Sequence, residues 1–377
     1  MKYCDVLVMG AGIAGASAAY ELASKCHVIV LERESQPGYH TTGRSAAIYT
    51  QNYGNSAIRA LTLASHSFFK NCPQEFIEHP ILSPRGAMFV ARPDQLDALD
   101  KAFAEAHSLV PSMRRIDAGE AIRINPVLNP EFVGGAIFEP DASDIDVHAL
   151  HSGYLKGLRE RGGSVVNNAE VNVITRVGAH WNIKTPAGDF AAPIIVNAAG
   201  AWCDSIAEIA GVRPIGLVPK RRTVFTFDPP SDLDSSSWPL TIDLDETFYF
   251  KPDAGKILAS PADESPSPPC DAQPEEIDVA IAIDRLQKVT SLQVRAITHK
   301  WAGLRSFVAD KTPVIGIDDE VEGFFWLAGQ GGYGIQSSPA AGRTVAALIL
   351  NGALPDDLIK MGLHETDLSS LRLRSRN

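Results

Sequence analysis

The chain has 377 residues, of which 45% are hydrophobic and 21% charged, proportions that suit two globular domains or one large domain with an insertion. Its 34 Lys and Arg against 45 Asp and Glu leave a formal net charge of −11, which argues against nucleic acid or an anionic membrane as the main partner. Five scattered cysteines with no CxxC pair argue against a zinc site or a disulfide framework, and point to a reducing, cytoplasmic setting.

In chain order, 3–10 (YCDVLVMG) predicts a short buried strand, 13–25 a helix rich in small residues, and 26–32 (CHVIVLE) a second buried strand. Asp5 and the glycines interrupt the apolar N-terminus, so it does not read as a signal peptide. No run of 18 apolar residues occurs, and no transmembrane helix is expected. Helical spacing returns at 56–71, a strand at 86–93 (GAMFVARP), and a helix at 94–109 with Asp94 as its N-cap. Residues 144–163 read as a helix closed by Gly162 and Gly163. Strands follow at 171–177, 180–185 and 193–200, then a short helix at 202–211. Short strands are predicted at 221–227, 246–252 and 256–260, a Pro- and acid-rich surface loop at 261–276, and a helix at 277–292. Strand-like runs at 299–316 and 323–328 precede a last long helix, and the basic tail at 371–377 is expected to fray.

Gly10, Gly12 and Gly15 spell G-x-G-x-x-G between a strand and a helix, and Glu32 ends the next strand. Such glycines let the backbone approach a pyrophosphate at the helix N-terminus, and the terminal acid binds a ribose hydroxyl. A carboxylate there repels a 2′-phosphate, so NADP is disfavoured. Gly329, Gly331 and Gly334 repeat the pattern formally, but no later strand ends in an acid. Their better reading is a helix N-terminus aimed at the electron-rich edge of a flavin.

The segments GAGIAGAS (10–17), LERESQPGYHTTGRSAAIYTQNYG (31–54), VNAAGAWCD (196–204), PKRR (219–222), WAGLRSFVADKTPVIG (301–316) and GQGGYGIQ (329–336) stand in order. This series resembles the D-amino-acid oxidase superfamily of FAD-dependent oxidoreductases, and within it most closely the bacterial FAD-dependent D-arginine dehydrogenases. The resemblance runs from about Asp5 to Leu350. It implies an α/β fold, α+β overall: a Rossmann-like FAD-binding domain (1–45, 147–220, 305–377) with a mostly antiparallel substrate-binding domain (46–146, 221–304) inserted discontinuously. FAD is expected to be non-covalent, because Cys270, the last cysteine, lies far upstream of the C-terminal glycine loop where some members attach it.

By the same resemblance Gly10, Gly12, Ala14, Gly15 and Glu32 would hold the ADP half. Arg33, Gly43, Arg44 and Ser45 would follow the phosphates and ribityl chain, with Ala46 beside the flavin. Val173 would offer its backbone to the adenine, Ala199, Gly200 and Trp202 would pass the dinucleotide from another side, and Gly331, Gly332, Tyr333, Gly334 and Ile335 would run under the flavin.

An α-amino acid needs a cation for its carboxylate and an acceptor for its amine, with Cα–H directed at flavin N5. Arg222 and Arg305 sit in strand-like stretches and are the clamp candidates, since a guanidinium holds a carboxylate with two parallel bonds. Their plain alternative is surface ion pairing. Tyr53 and Tyr249 match the family's substrate-contacting tyrosines, the Gly332 carbonyl is the amine acceptor, and Ile48, Thr50, Ala87, Glu246 and Gln336 complete the pocket. Residues 43–47 would touch flavin and 48–54 would form a mobile lid carrying Tyr53. His40 and His148 read as structural, and no dedicated base is required if the arginines lower the ammonium pKa by like-charge repulsion.

The arginine enzymes carry an acid where this chain has Ala87 and a His where it has Ile48. The expectation is therefore oxidative deamination of D-amino acids with apolar side chains, by hydride transfer from Cα to N5, giving an imino acid that hydrolyses to a 2-oxo acid and ammonia. D-arginine dehydrogenase proper, an N-alkyl amino acid or 2-hydroxy acid oxidoreductase, and a non-catalytic flavoprotein subunit are the alternatives. The electron acceptor is not written in the sequence.

Overall fold

Val6–Met9 is buried at every position, as a strand must be when both faces of its sheet are covered, here by helices on one and largely by a small sheet on the other. It lies inside a six-stranded sheet ordered 164–166, 28–31, 6–9, 194–197, 324–328, 314–317, parallel except for the last pair. The computed structural model describes residues 1–72, 76 and 79–374. Helices Ile13–Leu22 and Gly334–Asn351 pack on this sheet with Ala14, Ala18, Leu22, Ala341 and Val345 in one core. A four-stranded sheet built from 2–3, 173–177, 180–185 and 188–192 lies to one side.

The second large sheet has nine strands and is mostly antiparallel. Its axis is the pair Val218–Phe227 and His299–Phe307, in register from Val218↔Phe307 to Thr226↔His299. Beyond these come Lys256–Ser260, Tyr249–Asp253, Leu240–Asp243, Ala87–Ala91, Gly135–Glu139 and Arg114–Asp117. A three-stranded patch, Ile48–Tyr49, Ser143–Ile145 and Leu82–Pro84, joins the layers.

The expected domain boundaries cut through continuous structure. Residues 220/221 and 304/305 both fall inside the central strand pair, whose hydrogen bonding does not break there. Helix Ser56–Lys70, expected with the substrate domain, buries Ala57, Ala60, Leu61 and Ala64 in the same core as Val6, Val8 and Val28. Its apolar face needs a partner, and the nearest apolar surface is the flanking helix Gly334–Asn351.

Two local expectations change. Helix Leu96–Leu109 follows a 3-10 turn, Pro93–Gln95, so Asp94 lies inside that turn and pairs with Arg92 instead of capping. The basic tail is pinned through Arg374. Arg372 bonds Asp310 and the Thr312 carbonyl, and Arg374 reaches Asp318, Asp319 and Glu320. Residues 375–377 lie outside the described set.

Candidate active site

A cavity of about 550 Å³ runs between the two large sheets. One end is lined by Glu32, Arg33, Ala169, Glu170 and Val171, the middle by Gly10, Gly12, Thr42 and Ala199, and the other end by Ala87, Arg222, Tyr249, Arg305 and Gly332. It carries polar groups at both ends with an apolar stretch of wall, the usual character of a cofactor and small-molecule site.

The glycine loop is built for close approach. Gly10 has φ +99°, and a Cβ there would lie 2.5 Å from the Ala198 carbonyl oxygen. Helix Ile13–Leu22 starts immediately after, and its first-turn N–H groups have no earlier helical carbonyl to reach. One of them, Ile13 N–H, donates to the Thr42 hydroxyl at 2.9 Å. Glu32 is buried, and its two carboxylate oxygens accept from Ala11 N–H at 2.9 Å and Glu34 N–H at 3.0 Å. Under the loop, His151 Nε2 donates to the Ala11 carbonyl at 2.8 Å, and burial holds its pKa below the ordinary value.

Three expected placements shift along this half. Arg33 stands at the Glu32 end, not midway: it pairs with Glu34 and Glu170 and stacks over Trp202. Arg44 sits in the turn Thr42–Arg44 and lines the cavity, but its guanidinium turns to the Ala272 and Ala302 carbonyls and Asp271. Val173 does not line the cavity. It pairs with Lys184 in the small sheet and is exposed, and Val171, before the strand begins, takes the position at the wall. Ala14, Ser45, Ala46, Ala199, Gly200, Trp202, Gly331, Gly334 and Ile335 line the cavity as expected, whereas Tyr333 turns aside to pack on Tyr53 with ring centres 4.7 Å apart. Gly43 closes the turn through its N–H to the Gly38 carbonyl.

At the far end the strand register brings the two arginines together. Lys220 lies opposite Arg305 and Arg222 opposite Gly303, so Arg222 and Arg305 are diagonal neighbours on one face of the sheet. They are not equivalent. Arg222 Nε donates to the Asp263 carbonyl at 2.8 Å, an Nη lies 3.4 Å from Glu264, and its guanidinium lies 5.9 Å from the centre of the Tyr249 ring. Arg305 has only the Tyr53 hydroxyl, at 3.4 Å, and among the described residues no carboxylate pairs with it. Gly332 lies directly against it: a Cβ there would be 2.8 Å from Nη1. Glu246 stands at the same end with φ +54°.

Thr50 and Gln336 line the cavity, yet their polar groups face each other and the protein. Gln336 Oε1 accepts from Thr50 N–H at 3.2 Å, and its Nε2 donates to the Thr62 hydroxyl. The Thr50 hydroxyl donates to Glu139 Oε2 at 2.6 Å. Burial pushes the Glu139 carboxyl above the usual range, opposed by this bond and by the Gln51 N–H. Ile48 is held in a strand against Asp144, so the first part of the expected lid is fixed.

The apolar wall was only partly anticipated. Ala87 and Phe89, Leu240 and Ile242, and Tyr249 alternate along three adjacent strands and face the cavity with Ile48. The period-two pattern in AMFVA and LTID carried that signal. Lys251 also faces the cavity although 4% exposed, its charge matched by Asp144 at 2.6 Å and Asp253 at 3.5 Å. Glu139, Thr42 and Lys251 had no sequence signature, because their partners are 89, 29 and 107 residues away.

Residues 5–348 match the family model described as FAD dependent oxidoreductase, DAO. An uncharacterised oxidoreductase of Bacillus subtilis is 23% identical over 370 residues, covering 93% of this chain and 96% of its own. The crystal structure of L-proline dehydrogenase from P. horikoshii superposes with a TM-score of 0.84 at 22% identity, covering 99% of this chain and 98% of that one. Glycine oxidase from Geobacillus kaustophilus gives 0.82 at 21%, covering 93% and 95%. Residues of the cavity fit the dinucleotide: the Gly10 cradle that a Cβ would fill, the Glu32 carboxylate, and Gln330, whose buried Nε2 lines the cavity without a partner.

Proposed function

Because the chain belongs to the DAO family of FAD-dependent oxidoreductases, with FAD as its cofactor, we propose that it oxidises D-α-amino acids with apolar side chains to imino acids, which water converts to 2-oxo acids and ammonia. The observation that carries this reading is Arg305, a cation in the cavity with no carboxylate partner among the described residues and a tyrosine hydroxyl beside it. Such a group binds an anion, and a planar guanidinium suits a carboxylate.

Gly10, Glu32, Thr42 and the start of helix Ile13–Leu22 would hold the dinucleotide, and Gln330 to Ile335 the ring system. Bound there, FAD supplies the two-electron acceptor for the Cα–H bond. Arg305 would take the carboxylate and Tyr53 would close over it. Arg222, already engaged by Asp263 and Glu264, would add field more than a second fork. The Gly332 carbonyl would accept from the amine, and the guanidiniums lower the ammonium pKa, so the amine gives up a proton without a dedicated base. The side chain would rest on Ile48, Ala87, Phe89, Leu240 and Ile242. None of these five residues carries a carboxylate for a guanidinium, which disfavours D-arginine, and Glu246 at the same end of the cavity would compensate only in part. The same division would make the six-stranded layer with helix Ser56–Lys70 the cofactor domain and the nine-stranded sheet the substrate domain.

The test is anaerobic mixing of purified protein with single D- and L-amino acids, glycine and L-proline, following flavin absorbance at about 450 nm. Faster bleaching with D-Leu, D-Phe or D-Met than with D-Arg, and none with L-isomers, is the expected result. Fastest bleaching by L-proline, glycine or D-Arg overturns the substrate assignment. No bleaching by any of them, with flavin bound, overturns the amino-acid reading.

A further inference from the structure

Thr50 to Asn55 link the strand Ile48–Tyr49 to helix Ser56–Lys70 and carry Tyr53 to Arg305. The two ends of this link are tied to the fold by several short hydrogen bonds, and its middle is held only through the Tyr53 side chain. At the far end, Asn55 caps the helix by accepting from Ile58 N–H at 3.1 Å, and its amide donates to the Thr312 hydroxyl at 2.8 Å. At the near end, Glu139 accepts from the Thr50 hydroxyl at 2.6 Å and from Gln51 N–H at 3.0 Å, while Gln336 takes Thr50 N–H. Between them, Tyr53 has one long hydrogen bond, to Arg305, and a ring contact with Tyr333, and Asn52 Oδ1 is buried without a partner among the described residues. Gly54 turns the chain at φ +89°, where a Cβ would press 2.7 Å from Ile58 Cγ2.

We infer that Glu139 is a positioning residue for substrate capture: its buried carboxyl holds Thr50 and Gln51, so that only Asn52–Gly54 move when Tyr53 opens and closes over the amino acid. This rests on the substrate reading above. Glu139 is 1% exposed and ends a strand of the nine-stranded sheet, opposite Ala87 in the cavity wall. A buried carboxyl is costly to keep, and one bonded to a single loop through both oxygens has that loop as its compensation. The Thr50 hydroxyl gives its proton to Glu139, which removes it as a donor to substrate and assigns Thr50 to the loop. A three-residue tip between fixed ends also has little entropy to lose when Tyr53 closes, which favours capture.

The experiment uses FAD-loaded E139A, E139Q and T50V with two readouts, amide hydrogen exchange and steady-state kinetics with the best D-amino acid. In E139A, exchange across 50–55 rises roughly tenfold, as expected for losing two hydrogen bonds, while helix 334–351 and flavin content are unchanged. KM rises by a similar factor with kcat within about twofold, because capture and not the chemical step is affected. E139Q, whose amide still accepts from Gln51 and donates to Thr50, stays within about threefold of wild type, and T50V shows the E139A change at smaller size. Unchanged loop exchange in E139A, or exchange rising over the whole molecule with loss of flavin in both E139A and T50V, overturns the inference. The exchange readout needs no substrate. If no amino acid reduces the flavin, the proposed function fails while the latch is still decided.

Discussion

Substituting Arg305 by Met probes the site at its most unusual point. The guanidinium leans on Tyr53 at 3.4 Å and on Gly332, with no carboxylate partner among the described residues. Two parallel charge-assisted bonds to a substrate carboxylate contribute about 1.5–3 kcal/mol each. Leaving that carboxylate unpaired in the closed cavity makes the loss about 3–5 kcal/mol, or roughly a 10²- to 10⁴-fold fall in kcat/KM. R305K keeps the charge and loses the fork, so its fall is smaller, about tenfold. Stability should change little: removing a partly exposed cation without a carboxylate partner among the described residues leaves Tm about unchanged, and flavin stays bound. The assay is anaerobic flavin reduction over a range of amino-acid concentrations, with thermal denaturation of the same samples. A kcat/KM within about threefold of wild type for R305M, or a Tm and flavin content that fall with it, refutes the assignment.

Glu32→Ala removes the acceptor for Ala11 and Glu34 N–H together with the proposed ribose partner, and should weaken FAD binding by roughly 10- to 100-fold in a fluorescence titration of the apoprotein. Ala87→Glu, placing an acid in the apolar wall opposite Leu240, should reverse the ranking of D-Leu and D-Arg in kcat/KM. His151 supplies a pH signature. Burial lowers its folded pKa, so between its ordinary value of about 6.5 and that lower value the unfolded chain holds a proton the native state lacks. Stability is complete above about pH 6.5 and falls as the pH drops below it. His151→Gln should flatten the slope of Tm between about pH 5 and 7.

The local elements were readable because short-range physics makes them. The run VLVM, the glycines before a small-residue helix, and Glu32 at the end of VIVL specify a βαβ unit within 32 residues. The tight turn, the helix N-terminus and the acid need only each other. Arg222 and Arg305 were likewise visible as charges inside strand patterns. That one would be engaged by Asp263 and Glu264 and the other left unpaired was not, since no spacing in the chain encodes it.

Expectations failed where two distant segments compete for one position. Val173 has good strand character, but pairing with Lys184 draws it into the small sheet and leaves Val171 at the wall. Thr50 does line the cavity as expected; what no spacing could show is that Glu139, 89 residues later, takes its hydroxyl. The amino-acid sequence by itself determined the dinucleotide loop, the helices, most strands and the residue types a carboxylate site needs, through contacts within a turn or a few residues. Only the tertiary structure decided which arginine lacks a carboxylate partner among the described residues, which bonds hold Thr50 and Gln51, and that the two long strands run unbroken through 220/221 and 304/305. Those outcomes depend on hydrogen bonds and buried charges whose partners meet only after the two sheets have packed.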